Sequence, residues 1–243
     1  MAKQYSKEGD RTLNAIQKAD NFNRWMYEQI RPFLKGDIVE IGSGVGTFSR
    51  LVAHDFPKSR IVVSDIDTDY VKALKEEFRD KKNISSFKID LGDKEDFKQI
   101  SHPVDTVFAL NVLEHVKDDI GTMNEIYRLL KPGGRFIVLV PAHQWLYSPI
   151  DKAVGHHRRY NKRMMRKRIA KTPFVLKKMF YFNAPAIAGW IVNGLIFRRS
   201  EIDDGAMGLF NKLVPAFRII EKYFLFRLVG ISLIVILEKK ADS

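Results

Sequence analysis

The 243-residue sequence contains no cysteine. This absence excludes disulfide bonds, thiolate metal sites, iron–sulfur clusters and cysteine nucleophiles. The first twenty residues also lack the apolar stretch of a secretory signal, so we expect a cytoplasmic protein. Hydrophobic residues make up 45% of the chain, which is enough for a sizeable core and excludes a disordered protein.

Acidic residues are scarce in residues 151–180, which contain eleven Lys and Arg but a single Asp. This segment therefore carries most of the formal net charge of +12. So concentrated a positive charge favours an anionic partner, such as a phosphorylated small molecule, an acidic lipid headgroup or a nucleic acid. A solvated basic helix without any partner explains the same charge.

Long apolar runs are few as well. Residues 179–197 form a stretch of 19 residues without a charge, which is about the length of a membrane span. Asn183, Pro185 and Asn193 interrupt this stretch. We therefore interpret it as a buried or interfacial segment and not as a transmembrane helix.

From residue 37 onward, short β-branched runs alternate with longer amphipathic runs. This alternation is typical of strand–helix units on a parallel sheet. The sequence has no internal repeat and no low-complexity linker, which favours a single domain. The predicted strands are 37–41, 60–65, 84–90, 104–110, 135–140, 174–182 and 231–237, and the predicted helices are 21–30, 46–54, 69–78, 120–130, one from residue 161, and 209–228.

A glycine-rich turn follows the first predicted strand, in the segment 38–50, IVEIGSGVGTFSR. Glycines let the backbone approach a ligand closely, because they tolerate positive φ and have no side chain. The dinucleotide fingerprint requires Gly or Ala at position 47, where this chain has Thr47, and no Gly-Lys-Ser/Thr closes the turn as in a triphosphate site. The turn alone therefore favours neither a nicotinamide dinucleotide nor a nucleoside triphosphate.

Two acidic residues end the next two predicted strands. Asp65 comes nineteen residues after Gly46, where a carboxylate can accept hydrogen bonds from both ribose hydroxyls. Asp90 ends the following strand and is placed to receive the exocyclic amine of an adenine. A helix cap or a turn is the structural alternative for either residue.

Five motifs in order resemble the class I S-adenosylmethionine-dependent methyltransferases. They are EIGSGVG at 40–46, the acid Asp65, the pair Asp90-Leu91, ALNVLEHV at 109–116 and LLKPGGRFIVLVP at 129–141. The resemblance is strongest to the branch that modifies quinones, lipids and other small molecules. It covers residues 30–182, and the last predicted strand fits the reversed seventh strand of the family.

The resemblance implies an α/β fold: a Rossmann-like, mostly parallel sheet of seven strands with helices on both faces, the last strand antiparallel, and an apolar helical insertion before that strand. We expect one methyltransferase domain over 1–243. Its predicted parts are an N-terminal helical cap (1–36), a Rossmann-like core (37–182), an apolar helical lid (183–229), and the final strand and tail (230–243).

The implied cofactor is S-adenosylmethionine. Glu40, Gly42 and Gly44 would lie against its methionine part, Asp65 would hold its ribose, and Asp90 and Leu91 would flank its adenine. The full predicted set of cofactor-binding residues is Glu40, Gly42, Ser43, Gly44, Asp65, Ile66, Asp90, Leu91, Asn111 and Val112.

Candidate residues for the methyl acceptor concentrate in 141–160, after the fifth predicted strand, at the sheet edge where open α/β folds bind ligands. Histidine suits proton transfer near neutral pH, and paired arginines suit a carboxylate or phosphate. An ion pair that only shapes the loop is the alternative for Asp151 with His156. No metal site is predicted, because the histidines of this stretch have no carboxylate pair at ligand spacing. The predicted catalytic residues are His156, Asp151, His115 and Tyr160, and the predicted acceptor-binding residues are His143, Tyr147, Arg158 and Arg159.

We predict an anionic or lipid-like small-molecule acceptor, including a lipid-linked saccharide, and peripheral contact with the inner membrane surface. An RNA-directed methyltransferase is the first alternative, but the fourth strand ends in Asn-Val-Leu-Glu and not in the Pro-Pro-aromatic run of base-amine methyltransferases. Methylation of pyrimidine carbon 5 through a cysteine is excluded. A cofactor-binding protein without activity is the second alternative.

Overall fold

The computed structural model describes residues 6–225 and 227–241. The ends of the predicted cap and tail, residues 1–5 and 242–243, lie outside the described residues, as does residue 226 of the predicted lid. The helices are α1 Lys7–Gln17, α2 Asp20–Ile30, α3 Thr47–Asp55, α4 Thr68–Glu77, α5 Asp119–Leu129, α6 Pro149–Ala153, α7 Lys162–Ile169, α8 Ala186–Trp190 and α9 Asp204–Ile220. The strands are β1 Ile38–Ile41, β2 Ile61–Asp65, β3 Ile84–Lys88, β4 Val104–Leu110, β5 Leu130–Pro141, β6 Val175–Phe182 and β7 Ser232–Glu238.

The seven strands form one sheet in the order β3-β2-β1-β4-β5-β7-β6. Neighbouring strands from β3 to β5 are parallel. Strand β7 runs against β5, because Lys239 pairs with Gly133 and Gly134 at one end while Ala142 pairs with Ile231 at the other. The predicted α/β fold class, a Rossmann-like, mostly parallel sheet with a reversed last strand, is confirmed.

The chain divides into two compact units. The first, the sheet unit, consists of Ile30–Leu139, Arg163–Met179 and Val235–Ser243. Every residue of β1 and β2 is buried there, as expected for parallel strands that helices cover on both faces. These strands end in turns at one edge of the sheet, and the turns carry the predicted cofactor residues.

The second unit, the helical unit, consists of Met1–Gln29, Val140–Lys162 and Phe180–Ile234. Aromatic rings hold α2 in this unit, since the ring of Trp25 lies 4.6 Å from that of Phe182 and the ring of Phe22 lies 5.5 Å from that of Phe210. Helix α1 approaches α6 so closely that a Cβ atom on Gly9 would lie 2.3 Å from the carbonyl oxygen of Ala153. The division into cap, core and lid stays a prediction.

The uncharged stretch 179–197 does not form one long helix. It continues through the end of β6 and α8 into a π-helical segment, Ile191–Ile196. In the part of the chain that the structure describes, no helix has both the length and the apolar content that crossing a membrane requires.

Candidate active site

The glycine turn joins β1 to α3 and has a left-handed backbone at three positions. Gly42, Gly44 and Gly46 have φ angles of 75°, 53° and 80°. A Cβ atom on Gly42 would lie 2.4 Å from Cγ2 of Val112, so a larger residue does not fit. The backbone N–H groups of Gly42 and Ser43 both donate to the carbonyl oxygen of Ser64, at 2.8 Å, which fixes the turn beside β2.

Asp65, the last residue of β2, is hydrogen-bonded to this turn. Its Oδ2 accepts the N–H of Gly44 at 2.8 Å, and its Oδ1 accepts the N–H of Asp67 at 2.9 Å. Burial raises the pKa of Asp65, while the backbone donors of Asp67 and Gly44 oppose that rise. Ile66 provides a third backbone donor, so about one lone pair of the carboxylate is left to accept another hydrogen bond. Ile66, the next residue, is 38% exposed.

Glu40, within β1, is almost completely buried. Its carboxylate accepts the hydroxyl of Ser49, and Ser43 provides a second hydroxyl donor. Burial is the largest influence and raises the pKa of Glu40 to about 7, against the opposing effect of the two serines. Glu40 therefore titrates near neutral pH, unlike an exposed glutamate.

The remaining predicted cofactor residues follow β3 and β4. Asp90 is half-buried and its Oδ1 accepts the N–H of Gly92 at 2.8 Å, so the side chain also shapes its own turn. The carbonyl of Leu91 accepts the hydroxyl of Thr122 at 3.2 Å. Asn111 is exposed with a φ of 55°, and its N–H donates to Leu139 at 2.9 Å, while Val112 is half-buried.

The parallel pairing of β3, β2, β1 and β4 brings these four turns to the same edge of the sheet. Ile41 pairs with Ser64 and Ala109, and Asp65 pairs with Lys88. An adenosyl group fits these residues, because the turn has no side chains at its three glycines and the Asp65 carboxylate can accept ribose hydroxyls. His115, the predicted catalytic residue of this unit, is half-buried in a single 3₁₀ turn, Leu113–His115, at the same edge.

The predicted acceptor stretch lies in the helical unit, where Asp151 is the centre of a buried ion cluster. Its Oδ1 lies 2.8 Å from both Nε of Arg159 and Nδ1 of His156, and its Oδ2 accepts the N–H of Ser148 at 2.9 Å. Burial alone would raise the pKa of Asp151, but the hydrogen bond from His156 and the charge of Arg159 lower it overall. Asp151 thus anchors α6 as well as the loop that follows it.

Arg159, predicted to bind the acceptor, is only 1% exposed. Its guanidinium lies 4.2 Å above the ring of Trp190 and donates to the carbonyl of Ala142 at 3.2 Å. The hydroxyl of Tyr147 donates to the carbonyl of His156 at 2.7 Å, Tyr160 is fully buried, and Arg158 is half-buried. The structure therefore gathers Asp151, His156 and Arg159 in one cluster, and it gives Arg159 partners within the protein.

His143 follows β5 with a left-handed backbone, φ 64°, and its ring stacks on Tyr181 at 4.7 Å. In the part of the chain described, its Nε2 is buried without a hydrogen-bond partner. Burial lowers the pKa of His143, a backbone hydrogen bond with Gly230 opposes this, and the charge of Arg159 lowers it further. A neutral ring that donates from Nδ1 to Gly230 leaves Nε2 as an acceptor.

Asn183 is not among the site residues predicted from the sequence. It follows β6 with a φ of 63°, and its buried Oδ1 has no hydrogen-bond partner among the described residues. Ile231 donates its N–H to Asn183 and accepts from Ala142, the residue before His143, so Asn183 and His143 end two strands that flank the same residue. An asparagine directly after an apolar strand is the signal that could have indicated it, because asparagine tolerates a left-handed backbone.

Residues 39–136 match the family model described as "Methyltransferase domain". The match spans 98 of the 243 residues, and over this segment the chain is similar to methyltransferases. This match supports S-adenosylmethionine, the cofactor predicted from the sequence.

Two curated methyltransferases illustrate the relationship. The chain is 30% identical to malonyl-[acyl-carrier protein] O-methyltransferase 2 of Ilyobacter polytropus over 98 residues, which is 40% of this chain and 36% of that protein. It is 31% identical to the sterol 24-C-methyltransferase of Eremothecium gossypii over 160 residues, 57% of this chain and 40% of that protein. The matches to the first curated relatives span between 5% and 45% of their length.

Solved methyltransferase structures share the fold. Coclaurine N-methyltransferase, in a complex with N-methylheliamine and SAH, superimposes with a TM-score of 0.62 at 13% identity. The match covers 89% of this chain and 72% of that one. At this identity the likeness shows the fold of a class I methyltransferase and leaves the acceptor open.

Proposed function

We propose that the chain transfers the methyl group of S-adenosylmethionine in line to a small-molecule, lipid or lipid-linked saccharide acceptor. The observation that carries the proposal is the 2.8 Å hydrogen bond between the Gly44 N–H and Asp65 Oδ2. This bond couples a turn of glycines with a left-handed backbone to a buried carboxylate suited to a ribose, at the edge of the sheet where open α/β folds bind ligands.

In this proposal the residues that follow β1 to β4 hold the cofactor. Asp65 accepts the ribose hydroxyls, Asp90 and Leu91 flank the adenine, and Glu40 and Asn111 face the methionine part. Gly42, Ser43 and Gly44 line the turn, while Ile66 and Val112 supply apolar contacts.

When bound, S-adenosylmethionine supplies a methyl group on a positively charged sulfur, and its neutral thioether leaves without a proton. The chain therefore needs no acid for the leaving group. Its contribution is to position the acceptor atom behind the methyl and to exclude water, which can lower the barrier by about 7 to 11 kcal/mol in ideal cases. A hydroxyl acceptor also needs a base within hydrogen-bond reach, whereas a carboxylate does not.

His143 is the best supported proton acceptor of the predicted residues. Its lowered pKa keeps the ring neutral near pH 7, and its buried Nε2 has no hydrogen-bond partner within the described residues. We assign Asp151 and Arg159 to holding the acceptor loop, because each is buried against the other. His156, His115 and Tyr160 remain candidates for direct action on the acceptor, and Tyr147 and Arg158 for binding it.

The names of the relatives support an acceptor of this class. One relative is named for a malonyl group on an acyl carrier protein and another for a sterol. A carboxylate agrees with the basic segment 151–180. We place the reaction on the cytoplasmic side of a membrane, with 1–36 as a cap and 183–229 as a lid.

The test is transfer of label from methyl-tritiated S-adenosylmethionine to fractionated cell extracts, with the wild type and Asp65→Ala. We expect label in the lipid or small-molecule fraction with the wild type only. Calorimetry should show that Asp65→Ala weakens cofactor binding at least about tenfold, because the ribose loses its acceptor. Asp69→Ala, an exposed neighbouring acid, is the matched control and should bind normally.

Two results would contradict the proposal. Unchanged cofactor affinity in Asp65→Ala would remove the ribose role. Label that the wild type transfers to the RNA fraction instead would support the RNA-directed alternative, and cofactor binding without any labelled product would support the binding protein.

A further inference from the structure

Helix α9 carries apolar residues on two different faces. On one face Val214 is buried and Phe210 contacts Phe22. On the other face Leu209, Leu213 and Ile220 follow at intervals of four and seven, which places them in one stripe along the helix. These three side chains are 61%, 43% and 41% exposed.

Exposed apolar side chains are also concentrated in the segments before and after α9. Of the twelve large hydrophobic side chains that the structure describes as exposed, ten lie between residues 192 and 229. Scattered exposed apolar residues are normal, but so strong a concentration marks an interaction surface. We call this set the α9 surface; it comprises Val192, Ile196, Phe197, Leu209, Leu213, Ile219, Ile220, Tyr223, Leu228 and Val229.

A cavity of about 770 Å³ adjoins the α9 surface within the helical unit. Residues of α2, of α9 and of the π-helical segment after α9 line it. Its walls are amphipathic, with Trp25, Pro215 and Ile219 beside the basic residues Arg24, Lys222 and Arg227.

The charge of this cavity is positive, because four basic residues line it against one acid, Glu221. The two carboxylate oxygens of Glu221 accept the N–H groups of Asn183 and Ala184 at 3.0 and 2.9 Å. Arg218 in turn is paired with Glu28. The cations Arg24, Lys222 and Arg227 are exposed.

We propose that the α9 surface and its cavity bind the surface of a membrane that contains acidic phospholipids. The apolar stripe enters the boundary of the acyl chains, and Arg24, Lys222 and Arg227 contact headgroup phosphates. This is the arrangement of a helix that lies in the interface plane. The proposal goes beyond methyl transfer, since binding to vesicles requires neither cofactor nor acceptor.

Two other occupants fit less well. A second copy docked on the stripe would bring the same three cations of each copy towards one another. A nucleic acid would pair with the cations but would leave Leu209, Leu213 and Ile220 in water. A phospholipid surface satisfies both the charge and the apolar area.

The test is sedimentation of the full chain with vesicles of phosphatidylcholine alone or with about 30% phosphatidylglycerol. We expect binding to the acidic vesicles, and release at about 0.5 M salt. Arg24→Gln combined with Lys222→Gln should lower the partition coefficient about 25-fold, from about fivefold for each cation near an acidic surface. Leu209→Ser combined with Leu213→Ser should also weaken binding, because the apolar area that enters the acyl boundary is lost.

Lys75→Gln combined with Lys82→Gln makes the same change of charge on exposed residues of the sheet unit and is the matched control. The proposal fails if this control lowers binding as much as the Arg24 and Lys222 pair, or if neutral and acidic vesicles bind equally. It also fails if the leucine variant abolishes self-association in sedimentation velocity, or if the chain binds RNA and not vesicles. The circular dichroism of every variant shows whether it is folded.

Discussion

At the scale of single residues, Glu40 is an acid in a position where solvent cannot stabilise its charge. Its pKa of about 7 lies above the ordinary value of 4.5, with burial as the largest cause. A raised carboxyl pKa means that the folded state disfavours ionisation relative to the unfolded chain. The contribution of Glu40 to stability is therefore greatest below about pH 4.5 and is lost as the pH rises through about 7.

Glu40→Gln should remove this pH dependence. The amide keeps an oxygen that accepts the Ser49 hydroxyl but does not ionise. We expect the free energy of unfolding of the variant, relative to that of the wild type, to rise by about 3 kcal/mol between about pH 4.5 and pH 8. Urea denaturation at both pH values measures this change. Subtracting the two free energies of unfolding removes the contributions of the other titrating groups. A constant difference across this range would show that Glu40 is ionised in the folded protein at low pH.

The sequence predicted some site residues better than others. The structure has Asp65 at the end of β2 and the glycine turn directly after β1, which are the positions that the short apolar runs predict. Their roles in cofactor binding stay predictions. The burial of Arg159 was not predictable, since it depends on Trp190, which lies thirty-one residues further on. The left-handed backbones at His143 and Asn183 arise from the pairing of three strand ends around Ile231, which no local pattern encodes.

At the scale of elements, the largest difference from the predicted pattern is where α5 meets β5. The predicted helix ends at residue 130 and the predicted strand begins at residue 135, but β5 already begins at Leu130 and includes Lys-Pro-Gly-Gly, 131–134. The strand includes this segment through an irregular register: Val104 pairs with Leu130, and Thr106 pairs with Arg135. The pairing of β5 with β4 thus outweighed the local preference of Pro and Gly for a turn.

The short helix α6 leads to a prediction about Asp151. Asp151→Asn should lower the free energy of unfolding by about 3 kcal/mol or more, because the buried Arg159 guanidinium would keep its charge without a counter-ion. Chemical denaturation measures this change. Lys152→Gln, on an exposed residue of the same helix, should alter stability little. Normal stability of Asp151→Asn with lost turnover would instead place Asp151 in the chemistry.

At the scale of the whole molecule, the order of the strands could not be read from hydrophobic patterns. It was implied only by the resemblance of five motifs to a family whose sheet is known. The division into two compact units was not predicted either, because each unit is assembled from three separate segments of the chain. Contacts between distant segments leave no local signal in the sequence.

The distribution of tryptophan gives each unit a different spectroscopic signature. All three tryptophans of the chain, Trp25, Trp145 and Trp190, belong to the helical unit. Tryptophan fluorescence during thermal melting therefore reports on that unit alone, whereas far-ultraviolet circular dichroism reports on the helices and strands of both. A chain that behaves as one domain should give coincident midpoints by the two probes, and separated midpoints would show that the tryptophan-free unit melts on its own.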